Sequence, residues 1–243
     1  MSPSYGAKMR CILVLKLILF ILFSKLAIGA ASFGPRESKL IFEEKSMKAY
    51  YRIDNTDKNL PWLVQAWVED ASEKKTSLLT ATPMVFRVEP SSVFTVRIVK
   101  TGYLAEDKET LFWAVSNSLP GGASTNQEKE EDKITAKLSL AYRFKVPLIY
   151  RPASLNNFKQ EPEKLEWKYD AQNGLKLYNP TRYVVQLHNI VANGKKFQGK
   201  GVSFIISPKS DAKVKADIKR GTIIKYSIIN DYGAVKEYEG VVK

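Results

Sequence analysis

The sequence predicts an all-β protein made of two β-sandwich domains. Three observations carry that prediction. Short runs that alternate apolar and polar residues recur along most of the chain, with turn-forming clusters between them. Helical periodicity is scarce. The strand pattern also lapses around Pro152 to Pro162 and then starts again, which marks a boundary between a domain at 32–153 and a second at 154–243. A chain of 243 residues is long enough for two cores of ordinary size.

The first half supplies about seven strands: "SKLIFEE" from Ser38, "MKAYYRIDN" from Met47, "LPWLVQAWVED" from Leu60, "PMVFRVEP" from Pro83, "SVFTVRIVK" from Ser92, "TLFWAVSNSLP" from Thr110 and "LSLAYRFKVPLIYRP" from Leu138. That spacing suits an antiparallel sandwich. Polar turns fall at Asp54–Asn59 and at Leu119–Gly122, where backbone-bonding side chains, Pro and Gly reverse the chain. Between Asn117 and Ile134 the periodicity disappears and acidic residues cluster, so a long surface connection is expected there. The second half repeats the strand style in "LEWKYD", "GLKLYNP", "RYVVQLHNIVANG", "GVSFIIS", "DAKVKADI", "TIIKYSIIND" and "VKEYEGVVK".

Residues 1–31 are set apart from the fold. Lys8 and Arg10 precede a long apolar run ending in small residues, the pattern of a secretory signal cleaved after Ala30 or Ala31. Cys11 lies too early to carry a lipid after such cleavage. An exported protein with no stable membrane insertion after cleavage is expected. The chain carries 38 Lys and Arg against 25 Asp and Glu; residues 1–31 hold four of the basic and none of the acidic, leaving 34 against 25, a net charge of +9. No cysteine remains, so the fold is expected to rest on its cores without disulfides. The basic excess arrives with no nucleic-acid motif, and export argues against a nucleic-acid partner.

The residues favour no enzyme. The single histidine, His188, sits among apolar neighbours in a strand pattern, and neither a nucleophile elbow, a phosphate loop nor a cysteine–histidine metal set is present. Paired carboxylates distant in sequence are not marked out by any motif. No cofactor or metal is expected. Trp62, Trp67, Trp113 and Trp167 fall at alternating strand positions and read as core.

Five stretches occur in a telling order: "LPWLVQAWVED" (60–70), "ATPMVFRVEP" (81–90), "ETLFWAV" (109–115), "PLIYRP" (147–152) and "INDYG" (229–233). Together they resemble the periplasmic PapD-like chaperones of the chaperone–usher pilus pathway, over nearly the whole chain after residue 31. The resemblance implies two Ig-like domains in a boomerang arrangement, located in the periplasm. It implies binding of exported pilin subunits by donation of an edge strand, which prevents premature assembly, and delivery of the subunit to an outer-membrane usher. Leu138, Leu140 and Tyr142, with Phe144 as an extension, match the alternating donor residues. Those side chains filling the chaperone's own core is the other reading of the same alternation.

The resemblance further implies a pair of basic residues anchoring the subunit's terminal carboxylate. Lys39 stands where the family has an arginine, and Pro147 stands where it has a lysine. Lys keeps the charge but lacks the bidentate fork of guanidinium. Lys145 and Arg143 share the side of a regular strand with Pro147 and are the candidates to replace it. Glu109, Arg151 and Asp231 match a charged trio that sets the angle between domains. An exported Ig-like adhesin or glycan-binding module is the alternative function.

Overall fold

The computed structural model describes residues 32–121, 140–172 and 174–243. The signal segment, most of the predicted acidic connection and Leu138 therefore lie outside the described residues. Among the described residues the regular structure is strands and three single 3₁₀ turns. The strands of the first sandwich are β1 (Phe33–Pro35), β2 (Leu40–Glu43), β3 (Lys48–Asn55), β4 (Trp62–Asp70), β5 (Leu79–Thr82), β6 (Val85–Val88), β7 (Ser92–Lys100), β8 (Thr110–Pro120) and β9 (Tyr142–Arg151). Those of the second are β10 (Glu166–Asp170), β11 (Gly174–Asn179), β12 (Val185–Ala192), β13 (Lys195–Gln198), β14 (Phe204–Ile206), β15 (Ser210–Lys213), β16 (Ile223–Ile229) and β17 (Val235–Val241).

In the first sandwich a sheet ordered β1-β3-β7-β5 faces one ordered β2-β9-β8-β4-β6. The second pairs β10-β11-β15 with β13-β12-β16-β17, β14 joining β12. Strand pairing is antiparallel except that β2 runs parallel to β9, Leu40 opposite Leu148 through Glu43 opposite Arg151. The expected alternation is what fills the cores. Strand β3 buries Ala49, Tyr51, Ile53 and Asn55, and β4 buries Trp62, Val64, Ala66 and Val68. Each fully buried Val, Leu, Ile or Phe contributes about 1.5–3 kcal/mol.

Tyr51 and Asn55 on these faces are paired. The Tyr51 hydroxyl and Ser116 Oγ lie 2.9 Å apart, and Asn55 Nδ2 donates to the carbonyls of Leu60 at 2.8 Å and Glu89 at 3.0 Å, closing the turn. The second core centres on Trp167, Leu177, Leu187, Ile190, Ile224 and Tyr226. A third, smaller cluster joins the sandwiches: Leu111 and Ile149 from the first pack with Val184 from the second, flanked by Ile41, Trp113 and Ile205.

The tryptophans divide. Trp62 and Trp167 are core residues, as expected, whereas Trp67 and Trp113 are half-buried and outside the two main cores. They lie on the outward face of the sheet, under cations: Arg143 and Lys75 over Trp67, Lys145 over Trp113.

Candidate functional site

Strand β9 carries most of the expected site residues, and its two faces differ. Residues 142, 144, 146, 148 and 150 face the first core; residues 143, 145, 147, 149 and 151 face outward. On the inner face Tyr150, Leu148 and Val146 are buried, Phe144 is half-buried, and Tyr142 is 41 % exposed. Leu140, two residues before the strand, is 55 % exposed. The same apolar alternation thus climbs out of the core toward the strand's start. Strand β2 covers only Leu148–Arg151, so Tyr142–Pro147 bond β8 alone and leave their other edge without a strand partner among the described residues.

Pro147 sits where that change occurs. Pairing with β8 runs unbroken through Trp113 opposite Pro147, and β2 joins one residue later. A missing N–H is tolerated on a strand with one open edge. Phe144 behaves differently from Tyr142. Its ring lies 6.2 Å from Phe33, and a Cβ on Gly34 would come within 3.2 Å of its Cζ, so β1 partly covers it. Tyr142 rests against Trp62 at 5.3 Å with much of its ring open.

The outward face places the candidate anchors. Lys39, in register with Pro147 by the parallel pairing, is half-buried, and its Nζ donates to the carbonyls of Ile229 at 3.2 Å and Asn230 at 3.1 Å in the second sandwich. Burial pulls its pKa below the usual lysine value, against the opposing pull of Asp231 and Glu109. Arg143 and Lys145 do share the side of Pro147, but neither is brought to Lys39. Arg143 Nη2 donates to Glu69 Oε1 at 2.6 Å, and Lys145 Nζ lies 3.2 Å from Glu69 Oε2 and 2.9 Å from Glu73.

Glu69 was not singled out by sequence reasoning. It is 2 % exposed, and its Oε1 also accepts the Trp67 indole N–H at 2.9 Å. Burial opposes its ionisation, but the Trp67 donor, Lys145 and Arg143 outweigh it and hold the carboxyl below its usual range. The available clue was two basic residues spaced i, i+2 on one strand face opposite tryptophans, an arrangement that calls for a carboxylate.

Glu109, Arg151 and Asp231 come together between the sandwiches. Arg151 Nε donates to Glu109 Oε1 at 2.6 Å and Nη2 to Asp231 Oδ2 at 2.8 Å, while Glu109 Oε2 accepts the Val184 N–H at 2.7 Å. Burial pushes the Glu109 carboxyl up, against the attraction of Arg151 and the Val184 donor. Gln160 reaches Asp231 at 3.2 Å, and the Tyr183 hydroxyl donates to the Leu155 and Phe158 carbonyls of the connecting segment. The end of β9 is held further by Glu44, which accepts the Ala153 N–H at 3.0 Å and Lys100 Nζ at 2.9 Å; the first of these bonds, helped by the second, holds its pKa at about 2.

Residues 32–156 match the family described as Pili and flagellar-assembly chaperone, PapD N-terminal domain, and residues 160–240 match Pili assembly chaperone PapD, C-terminal domain. The chain is 30 % identical to the chaperone protein FimC of Escherichia coli K12 over 202 residues, covering 82 % of this chain and 79 % of FimC. It is 28 % identical to the probable fimbrial chaperone LpfB of Escherichia coli O157:H7, covering 89 % and 90 %. Among solved structures, the Salmonella enterica SafA pilin in complex with the SafB chaperone matches with a TM-score of 0.70 at 26 % identity, covering 88 % of this chain and 98 % of that one. Among the described residues no helix is long and apolar enough to cross a membrane.

Proposed function

Because this chain belongs to the PapD-like family of pilus-assembly chaperones, we propose that it works in the periplasm by donating β9 to an exported pilin subunit and passing that subunit to an outer-membrane usher. Residues 32–153 form the subunit-binding domain in this reading and 154–243 the second domain. The observation that carries it is the open edge of Tyr142–Pro147 beside an apolar face exposed at Leu140 and Tyr142.

A sheet edge with free backbone donors and acceptors adds a strand from a partner, and alternate side chains then enter the partner's pockets. An isolated chain would avoid such an edge, since it templates aggregation. Leu140 and Tyr142 supply the inserted side chains, continued toward the chain start by Leu138. Phe144 is partly covered by β1 and contributes less. Lys39 anchors the subunit's terminal carboxylate: two of its three N–H groups meet carbonyls, which leaves one directed donor. Arg143 and Lys145 are occupied by Glu69 and take no part in that anchor. The trio of Glu109, Arg151 and Asp231 holds the two sandwiches at the angle the subunit meets. Nothing in this cycle requires a nucleotide or a covalent step.

The test is co-export of the chain with candidate fimbrial subunits, followed by purification through a tag on the chaperone. A one-to-one complex is expected. Recovery of the chaperone without any subunit, together with binding to a glycan surface, would favour the adhesin reading instead.

A further inference from the structure

The free half of β9 is an edge that needs a defined orientation to be useful, yet one neighbouring strand gives it little. Residues Tyr142–Pro147 bond β8 and nothing else among the described strands. A strand held along one side can roll about its axis, which would turn its apolar face away from a partner. Val146 in the first core and Phe144 against Phe33 restrain it from the inner face, and a further restraint lies on the outward face.

Two side chains of this half-strand, Arg143 and Lys145, converge on one carboxylate that comes from two strands away. In register, Glu69 of β4 lies opposite Trp113 of β8, which lies opposite Pro147 of β9. The Glu69 side chain reaches back from that row to Lys145 and then to Arg143, crossing β8 above buried Val115. Beside it lie Trp67, Trp113 and Lys75, the last opposite Glu69 and with its ammonium over the Trp67 ring. An apolar residue would suit that floor at least as well, because the cost of taking a carboxylate out of water can exceed what pairing returns. A buried ion cluster of this kind gives orientation rather than net stability. Attachment at residues 143 and 145 is also attachment at two points along the strand, and two points resist rolling where one does not.

We propose that Glu69 is a positioning residue for strand donation: by holding Arg143 and Lys145 on the outward face of β9, it fixes the roll of Tyr142–Val146 so that Leu140 and Tyr142 face the subunit. The inference rests on the strand-donation reading above. Its benefit is preorganisation, since a strand already oriented has less freedom to lose when the complex forms. Glu73, two-thirds exposed, is a secondary partner of Lys145 and carries no such role.

The experiment compares Glu69→Gln, the pair Arg143→Gln with Lys145→Gln, and the triple substitution in the full mature protein. Two quantities are read: amide exchange along β9, and recovery of the subunit captured in the co-export test. Glu69→Gln is expected to speed exchange at residues 143–146 by about tenfold, leave 148–151 unchanged, and lower subunit recovery by a similar factor. The triple is expected to add nothing to either single arm, because residues that act through one another are not additive. Arg143 has a side chain 52 % exposed, so Arg143→Gln alone keeps the fold and gives the same local change in smaller measure should Glu69→Gln fail to fold. Unchanged exchange at 143–146, or effects of the two arms that simply add, would overturn the proposal. Failure of the wild-type chain to capture any subunit would overturn the chaperone reading instead, and it is readable apart from the exchange rates.

Discussion

Leu148–Arg151 and Tyr142–Pro147 are halves of one strand with one apolar alternation, but they live in different surroundings. The later half lies between β8 and β2, with Leu148 and Tyr150 sealed in the first core, Ile149 packed against the second sandwich, and Arg151 tied to Glu109 and Asp231. The earlier half has β8 on one side, an open edge on the other, and an inner face that emerges into solvent. Alternation shows that a strand has an apolar face. Which part of that face is covered depends on neighbours that come from elsewhere in the chain. In this strand the uncovered part is the one fit to bind.

The largest effect separates the halves directly. A charged residue on the covered inner face, Leu148→Glu, places an unpaired carboxylate in the first core between its strand neighbours Leu40 and Phe112; it is expected to remove more than about 4 kcal/mol of stability and to leave no soluble folded protein. The same substitution eight residues earlier in the exposed part, Leu140→Glu, is expected to leave the thermal midpoint within a few degrees of wild type while abolishing subunit capture. Melting curves and co-purification check the pair. If Leu140→Glu also unfolds the protein, the emerging face is structural and strand donation from it is wrong.

Lys39→Ala probes the junction, where β9 gains its second neighbour. Loss of a charge-assisted hydrogen bond of about 1.5–3 kcal/mol corresponds to roughly ten- to a hundredfold weaker capture. The bonds of Lys39 to Ile229 and Asn230 also go, so a small fall in melting temperature accompanies the loss. Wild-type capture by Lys39→Ala would move the anchor away from this cleft.

The halves also differ in how far they were legible. Strands such as β3, β4 and β8 announce themselves because one face is buried and the period of two follows. The sequence reading missed β1, β5 and β13 because "FGP", "LTAT" and "KKFQ" are too short or too polar to show that period; they are strands because neighbours pair with them. Leu148 and Tyr150 read as core on alternation alone. Leu140 and Tyr142 carry the same signal, and only the family resemblance separated them from core. Glu109, Arg151 and Asp231 are tens of residues apart, and periodicity cannot join them. Glu69 escaped both routes, since no motif marks it and its partners lie across an intervening strand.

Acid sharpens the contrast between the halves without any substitution. Glu44 secures the later half through Ala153, Lys100 and Tyr150, with its pKa held at about 2 against an ordinary 4.5. Glu69 secures the earlier half and is also held below its ordinary value by the Trp67 donor, Lys145 and Arg143. A carboxyl whose folded pKa is depressed stabilises the fold fully above its unfolded value, and that contribution is lost as pH falls through the folded one. Both contributions are therefore intact at neutral pH and decline below about pH 4.5. Amide exchange measured between pH 5 and pH 2.5, corrected for intrinsic rates, should show residues 143–146, with one neighbouring strand, loosening while 148–151, with two, remain protected. Glu69→Gln should erase that early step and leave the later one, because the group that titrates is gone while Glu44 is untouched. Simultaneous loosening of both halves would mean that β9 opens as one unit and that Glu69 does not govern its free end.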